Sequence, residues 1–117
     1  MISPCFPRIS IVTPSLNQGD YIEATINSVL SQNYPNLEYI IIDGKSTDNT
    51  ISILDKYSSY FSFWVSEKDN GQSDALNKGF KIATGDICAY LNSDDLYLNN
   101  ILWEVGEYFM KKKFAWI

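Results

Sequence analysis

The sequence predicts a three-layer α/β/α fold built on a mostly parallel sheet, and three observations support this. Apolar, β-branched runs of strand length alternate with stretches of helical periodicity along almost the whole chain. The strand-like runs stop abruptly on polar turns, and acidic residues mark three of four such ends: Asp43, Glu67 and the Asp94–Asp95 pair. No internal repeat, low-complexity segment or linker interrupts the pattern, so 117 residues read as one domain.

Residues 1–7 read as a lead-in and residues 8–117 as the domain. A strand is predicted over 8–13, stopped by Pro14. A polar loop follows, in which Asn17 or Asp20 can cap a helix from Tyr21 whose inner face is Ile22, Ile26, Val29 and Leu30. Pro35 ends that helix, and residues 37–42 form a second, fully buried strand closing on Asp43-Gly44. Ser46, Thr47 and Asp48 start the next helix, with Ile51, Leu54 and Tyr57 inward. A third strand spans 61–66. A third helix spans about 72–83, with Leu76, Phe80 and Ala83 inward and Gly85 closing it. Residues 86–91 are expected to be a buried strand containing an inert core Cys88, and a helix is expected from Leu96 to Met110. Residues 114–117 resemble the start of a fifth strand. A strand ending there implies a longer protein or a completing partner, the alternative being a frayed tail, and open sheet edges imply self-association.

Composition excludes several function classes. The 45% hydrophobic and 15% aromatic content indicates a folded globule. A net charge of -5 argues against nucleic-acid binding, and Lys111 to Lys113 complement a helix C-terminus. There is no histidine, which removes Ser/His/Asp and Cys/His nucleophilic sites and leaves acid–base work to carboxylates. Two cysteines without a CxxC pattern exclude a zinc cage and fit a reducing, cytoplasmic setting. Neither GxxxxGK[ST] nor GxGxxG occurs. No secretory leader and no membrane-spanning apolar run is expected.

The candidate site lies at the C-terminal ends of the strands, where open α/β sheets bind ligands. Asp94 and Asp95 oppose each other's ionisation unless a cation joins them; Mg²⁺ or Mn²⁺ suits such oxygen ligands, together with a diphosphate. The alternative is a solvated turn in which one of them caps the next helix. Asp43 is placed to accept hydrogen bonds from a base or ribose, or else is a turn residue. Thr13, Pro14 and Asn17 can wall a base pocket with Tyr21 stacking, or form an ordinary loop. Lys45, Lys68 and Lys78 are basic residues near that edge. The polar helix start at 70–74 could face an anion or be simply capped surface.

Taken in order, Ile11-Val-Thr-Pro-Ser-Leu-Asn17, Asp20-Tyr-Ile-Glu23, Ser28-Val-Leu-Ser-Gln-Asn-Tyr-Pro35, Ile41-Ile-Asp-Gly-Lys-Ser-Thr-Asp-Asn-Thr50, Asn77-Lys-Gly79, Ala83-Thr-Gly-Asp86 and Leu91-Asn-Ser-Asp-Asp-Leu-Tyr97 form a specific set. With them the chain resembles the N-terminal, nucleotide-sugar-binding part of the inverting family-2 glycosyltransferases of GT-A fold. The resemblance implies a base pocket at Thr13, Pro14, Asn17 and Tyr21, with Asp43 reading the base or ribose. It places Asn92, Ser93 and Asp94 at the family's DXD motif. Asp94 then holds a divalent metal, Mn²⁺ or Mg²⁺, and Asp95 supports metal or sugar. Asn92 departs from the pattern by removing one carboxylate. The implied donor is a nucleotide-diphospho-sugar, a UDP-sugar first, and the acceptor a saccharide or lipid-linked hydroxyl, as in polysaccharide biosynthesis. The implied location is cytoplasmic, with peripheral membrane association. The family's catalytic base would lie beyond Ile117, so the chain alone is expected to bind donor without transferring it. A nucleotidyltransferase and a non-catalytic nucleotide-binding or interaction domain are the alternative readings.

Overall fold

The computed structural model describes residues 6–115, and side chains as far as residue 112. Four strands, β1 (Ile9–Ser15), β2 (Leu37–Asp43), β3 (Phe63–Ser66) and β4 (Ile87–Tyr90), form one sheet in the order β3-β2-β1-β4. All pairings are parallel. The helices are α1 (Ile22–Leu30), α2 (Thr50–Lys56), α3 (Gln72–Ile82) and α4 (Ile101–Ala115), with a 3₁₀ turn at Ser58–Tyr60. Parallel neighbours require crossovers, and the helices supply them. The chain moves outward from β1 through β2 to β3 and then returns to the other side of β1. The strand order therefore reverses between β1 and β4, which is where such sheets open a ligand crevice.

Strand β1 continues through Pro14, which pairs with Ile42, instead of stopping there. The hydrogen bonds give the reason. The carbonyls of Arg8 and Val12 accept from Ile87 and Leu91 on the β4 side, whereas Ser15 O accepts from Gly44 on the β2 side. Pro14 therefore lacks its N–H on the β4 side, beyond the last β1–β4 pair at Val12 and Tyr90.

Two cores flank the sheet. Ile9, Ile11, Tyr39 and Ile41 face α1, α2 and α4 through Ile22, Ile26, Val29, Leu54 and Leu102. Val12, Ile40 and Ile42 face α3 through Ala75. A Cβ on Gly79 would overlap the Val12 side chain, so glycine is what lets α3 lie against β1. The inward face of α3 is Ala75 and Gly79, with the expected Leu76 and Ala83 packed beside them, whereas Phe80 is exposed and does not belong to it.

Strand β4 is not buried. Cys88 and Tyr90 are exposed, because β4 is an edge strand and α3 packs over β1 and β2. Cys88 is therefore not a core residue. The last helix begins at Ile101, not Leu96, and Leu96 and Leu98 are exposed. It continues to Ala115, where a fifth strand was expected; no Gly or Pro follows Met110 to stop it, and residues 116–117 lie outside the described residues. The third strand starts at Phe63 because the 3₁₀ turn takes up the residues before it. No helix of the described residues is long and apolar enough to cross a membrane.

At the N-terminal end of the sheet a buried carboxylate ties three segments together. Glu38 accepts from Ser10 Oγ (2.6 Å), Thr84 N (2.8 Å), Thr84 Oγ1 (3.0 Å) and Arg8 Nη2 (3.0 Å). Burial pushes its pKa up, but the hydrogen bonds from Ser10 and Thr84 and the Arg8 charge outweigh it, and the carboxyl titrates below its ordinary range.

Candidate functional site

The crevice between β1 and β4 is a cleft of about 410 Å³. The end of β1 supplies Pro14, Ser15 and Leu16, and the start of α3 supplies Gly71, Gln72 and Ala75. Asn92, Ser93 and Asp94 close it from the segment after β4, and Asp69 lies before α3. Each wall follows a strand's C-terminal end, as a parallel sheet dictates.

Three loops hold this edge in place. Asn17 adopts a left-handed φ of 50°, and its Oδ1 accepts from Thr47 N at 2.8 Å and Asp48 N at 3.3 Å. This clamps the loop after β1 to the loop after β2, so Asn17 staples loops and does not cap α1. The α1 N-cap position is Tyr21, without a side-chain cap, and Asp20 makes no cap there. Asp48 accepts from Gly19 N (3.0 Å) and Thr50 N (2.9 Å); hydrogen bonds from Thr50 and Gly19 hold its carboxyl below the ordinary range. Helix α2 accordingly starts at Thr50, later than Ser46 to Asp48 suggested. Across the helices, Glu23 accepts from Lys56 Nζ (2.8 Å) and Tyr57 Oη (2.6 Å), which lowers its pKa.

Asp43 is fully buried at the end of β2. Its carboxylate accepts from Ser46 N (2.8 Å), Ser46 Oγ (2.6 Å) and Ser66 Oγ (2.7 Å). Asp43 thus organises the loops after β2 and β3. Thr13 is buried, its hydroxyl 3.1 Å from the Tyr39 hydroxyl, and burial raises the Tyr39 pKa so that the phenol stays neutral. Neither residue lines the cleft, nor does Tyr21, which is 57% exposed. The apolar side chain the structure brings there is Leu16, 53% exposed.

Residues 92–95 form a tight turn in which Asp95 N donates to Asn92 O at 3.0 Å. Asp94 and Asp95 are exposed, and Asp94 lines the cleft. Neither caps α4, which starts six residues after Asp95. Gln72 Nε2 donates to Asn92 Oδ1 at 2.6 Å, joining the start of α3 to this turn across the cleft. Helix α3 has no side-chain cap at its N-terminus, where Gly71 takes a φ of 107°. Lys78 lies 3.6 Å from Glu67 and 3.7 Å from Asp74, so its charge is already matched.

The structure therefore brings Pro14, Asn92, Ser93 and Asp94 together on the cleft, whereas Thr13, Asn17, Tyr21, Asp43 and Asp95 do not line it. Ser15 and Leu16, inside the stretch from Thr13 to Asn17 expected to wall a pocket, do line the cleft, whereas Gln18, Asp69 and Ala75 were missed. The 70–74 segment had been singled out, and its Gly71 and Gln72 do reach the site. Among the described residues no group of three His, Cys, Asp or Glu side chains converges on one point. A hard cation needs fewer protein ligands where phosphates complete its shell, and Asp94, an exposed carboxylate on the cleft wall, fits that limited role, while Asn92 Oδ1 is taken up by Gln72.

The family model described as "Glycosyl transferase family 2" matches residues 10–114. The chain is 38% identical over 95 residues to the UDP-Glc:alpha-D-GlcNAc-diphosphoundecaprenol beta-1,3-glucosyltransferase WfgD of Escherichia coli, covering 80% of this chain and 38% of that protein. Among solved structures, S. aureus TarS 1-349 in complex with UDP-GlcNAc superposes with a TM-score of 0.82 at 25% identity, over 89% of this chain and 31% of that one. The mannosyltransferase PcManGT from Pyrobaculum calidifontis, in complex with GDP-Man and Mn²⁺, superposes with a TM-score of 0.73 at 28% identity, over 85% and 32%. The chain spans less than half the length of these relatives. The fold is of the GT-A type of these neighbours over the matched residues, and the chain belongs to glycosyl transferase family 2.

Proposed function

We propose that the cleft between β1 and β4 binds the nucleoside diphosphate of a sugar donor, a UDP-sugar in the first instance. The observation that carries this reading is the pairing of a switch-point cleft with two carboxylates, Asp69 and Asp94, on its walls. A donor diphosphate is anionic, and like charges at this range repel unless a cation lies between them. Asp94 is the residue to hold that cation, and Asp95 supports the turn that presents it. A bound divalent metal would stabilise negative charge on the departing diphosphate.

The chain's own residues then position the donor. Pro14, Ser15 and Leu16 offer a flat, partly apolar wall for the base, with Thr13, Asn17 and Asp43 fixing the loops behind it. Asn92 and Ser93 supply polar contacts to diphosphate or sugar. Transfer with inversion is a single displacement in which an acceptor hydroxyl attacks the anomeric carbon. A carboxylate base removes its proton and the nucleoside diphosphate leaves. The glucosyltransferase relative WfgD, whose acceptor is a diphosphoundecaprenol-linked sugar, supports a saccharide or lipid-linked acceptor. We assign no catalytic base to residues 8–117, and the chain by itself is expected to bind donor without turnover.

The test is the melting temperature of the chain with UDP, GDP and dTDP, each with and without Mn²⁺. A gain for UDP that requires Mn²⁺ and disappears in Asp94→Asn is the expected outcome; at 100 times Kd the gain corresponds to about 2.7 kcal/mol. A gain for GDP alone would change the base, and no gain for any nucleotide would refute the reading.

A further inference from the structure

The segment that carries Asp94 has no regular structure of its own between β4 and α4, yet it is tightly held. The hold comes from α1. Thr25, fully buried, has its hydroxyl 3.0 Å from Ser93 O and 2.7 Å from Asp95 O, the carbonyls on either side of Asp94. One turn on, Ser28 Oγ accepts from Tyr97 N at 3.2 Å. Further along, Gln32 donates through Nε2 to Leu98 O (3.0 Å) and accepts at Oε1 from Leu102 N (2.8 Å). Thr25 and Ser28, three apart, lie on one stripe of α1, and Gln32 sits in the turn that follows it. That stripe is polar where the rest of the inward face of α1 is Ile22, Ile26 and Val29.

We propose that Thr25 is a positioning residue for Asp94: its hydroxyl, shared between the Ser93 and Asp95 carbonyls, fixes the turn from behind so that the Asp94 carboxylate stays aimed into the cleft. This rests on the reading of Asp94 as the metal-holding residue of a donor site. The physical basis is pre-organisation. A ligating carboxylate on an irregular loop loses affinity when its backbone can move, and a buried hydroxyl on a packed helix removes that freedom before any ligand arrives. Without that donor the buried Ser93 carbonyl would have to turn toward water, the Asp95 carbonyl would lose its tie, and the turn would move with them. Ser28 and Gln32 extend the same hold to the start of α4, so α1 and the turn after it are the template for the whole segment.

The variants that test it are Thr25→Val, which removes the hydroxyl and keeps the β-branched shape, Thr25→Ala, which removes both, and Thr25→Ser, which keeps the hydroxyl. Two readouts are taken. The first is amide hydrogen exchange of the ligand-free chain, where loss of the hydroxyl is expected to speed exchange at Asp95 by about tenfold or more and to leave β1 and β2 unchanged. The second is UDP affinity with and without Mn²⁺. The gain that Mn²⁺ confers is expected to fall by about tenfold in the Val and Ala variants, with metal-free affinity within about twofold of the parent and Ser restoring both readouts. A purely structural role would lower stability without changing the metal-linked ratio. Unchanged exchange at Asp95, an unchanged Mn²⁺ gain, or failure of Ser to restore either readout would overturn the proposal. A parent chain that does not bind UDP under either condition would instead overturn the donor-site reading, while the exchange result would still decide whether Thr25 holds the turn.

Discussion

Replacing Glu38 by Gln tests the network at the N-terminal end of the sheet. Glu38 is 6% exposed and its carboxylate takes four hydrogen bonds, from Ser10, twice from Thr84 and from Arg8. A Gln carbonyl in the Oε1 position keeps the bonds from Ser10 Oγ and Thr84 N. Its amide nitrogen then faces Arg8 Nη2, donor against donor, beside a guanidinium whose buried Nε already has no partner. Hydrogen bonds to a charged group contribute about 1.5–3 kcal/mol, roughly twice the neutral value. The Arg8 side chain is 42% exposed, so solvent screens its share. The expected loss is about 3 kcal/mol, or about 12 °C in melting temperature for a domain of this size.

The pH dependence has a definite sign. The folded pKa of Glu38 is lowered from its ordinary 4.5, so its contribution is fully present above that value and is lost as pH falls through the folded pKa. Thermal unfolding of parent and variant, followed by circular dichroism, should show a gap that is constant from pH 7 to about 5 and narrows in more acidic solution. A gap under about 1 kcal/mol at pH 7, or one that does not narrow in acid, would refute the assignment of Glu38 as a charged structural tie.

Two further outcomes follow from the packing and the charge of the cleft. Gly79→Ala places a methyl group in the Val12 side chain, and calorimetry should show a net loss of about 1–2 kcal/mol despite the better helix propensity of alanine. Asp69→Asn keeps the acceptor for Gly71 N, now at 3.0 Å, but removes a negative charge from the cleft. Titration of UDP without metal should show several-fold tighter binding than the parent, with a smaller gain from Mn²⁺.

Legibility differed between fold and site for physical reasons. The alternation of β-branched runs with helical periodicity fixes the element types, and the run Tyr39 to Ile42 reads as buried because both faces of β2 are covered. The run at 87–90 looks the same in sequence, yet Cys88 and Tyr90 are exposed, since composition does not reveal which strand lies at an edge. Residues 96–100 precede a helical pattern and read as part of it, but Ser28 and Gln32 bind the backbone at Tyr97 and Leu98, a tertiary override of local pattern. In the site, Pro14 and the Asn92-to-Asp94 turn were legible from their place at strand ends. Asp69 was not, because only the strand order brings the loops after β1 and β3 to one cleft. Asp43 was legible as important by its position, while its serine partners, one of them on β3, appear only in three dimensions.

The most direct test of the donor-site claim is amide hydrogen exchange of the chain with and without UDP and Mn²⁺. Protection confined to residues 14–18, 69–75 and 92–95 is the result expected if the β1–β4 cleft holds the nucleotide. Protection elsewhere, or at the cleft without dependence on Asp94, would contradict it.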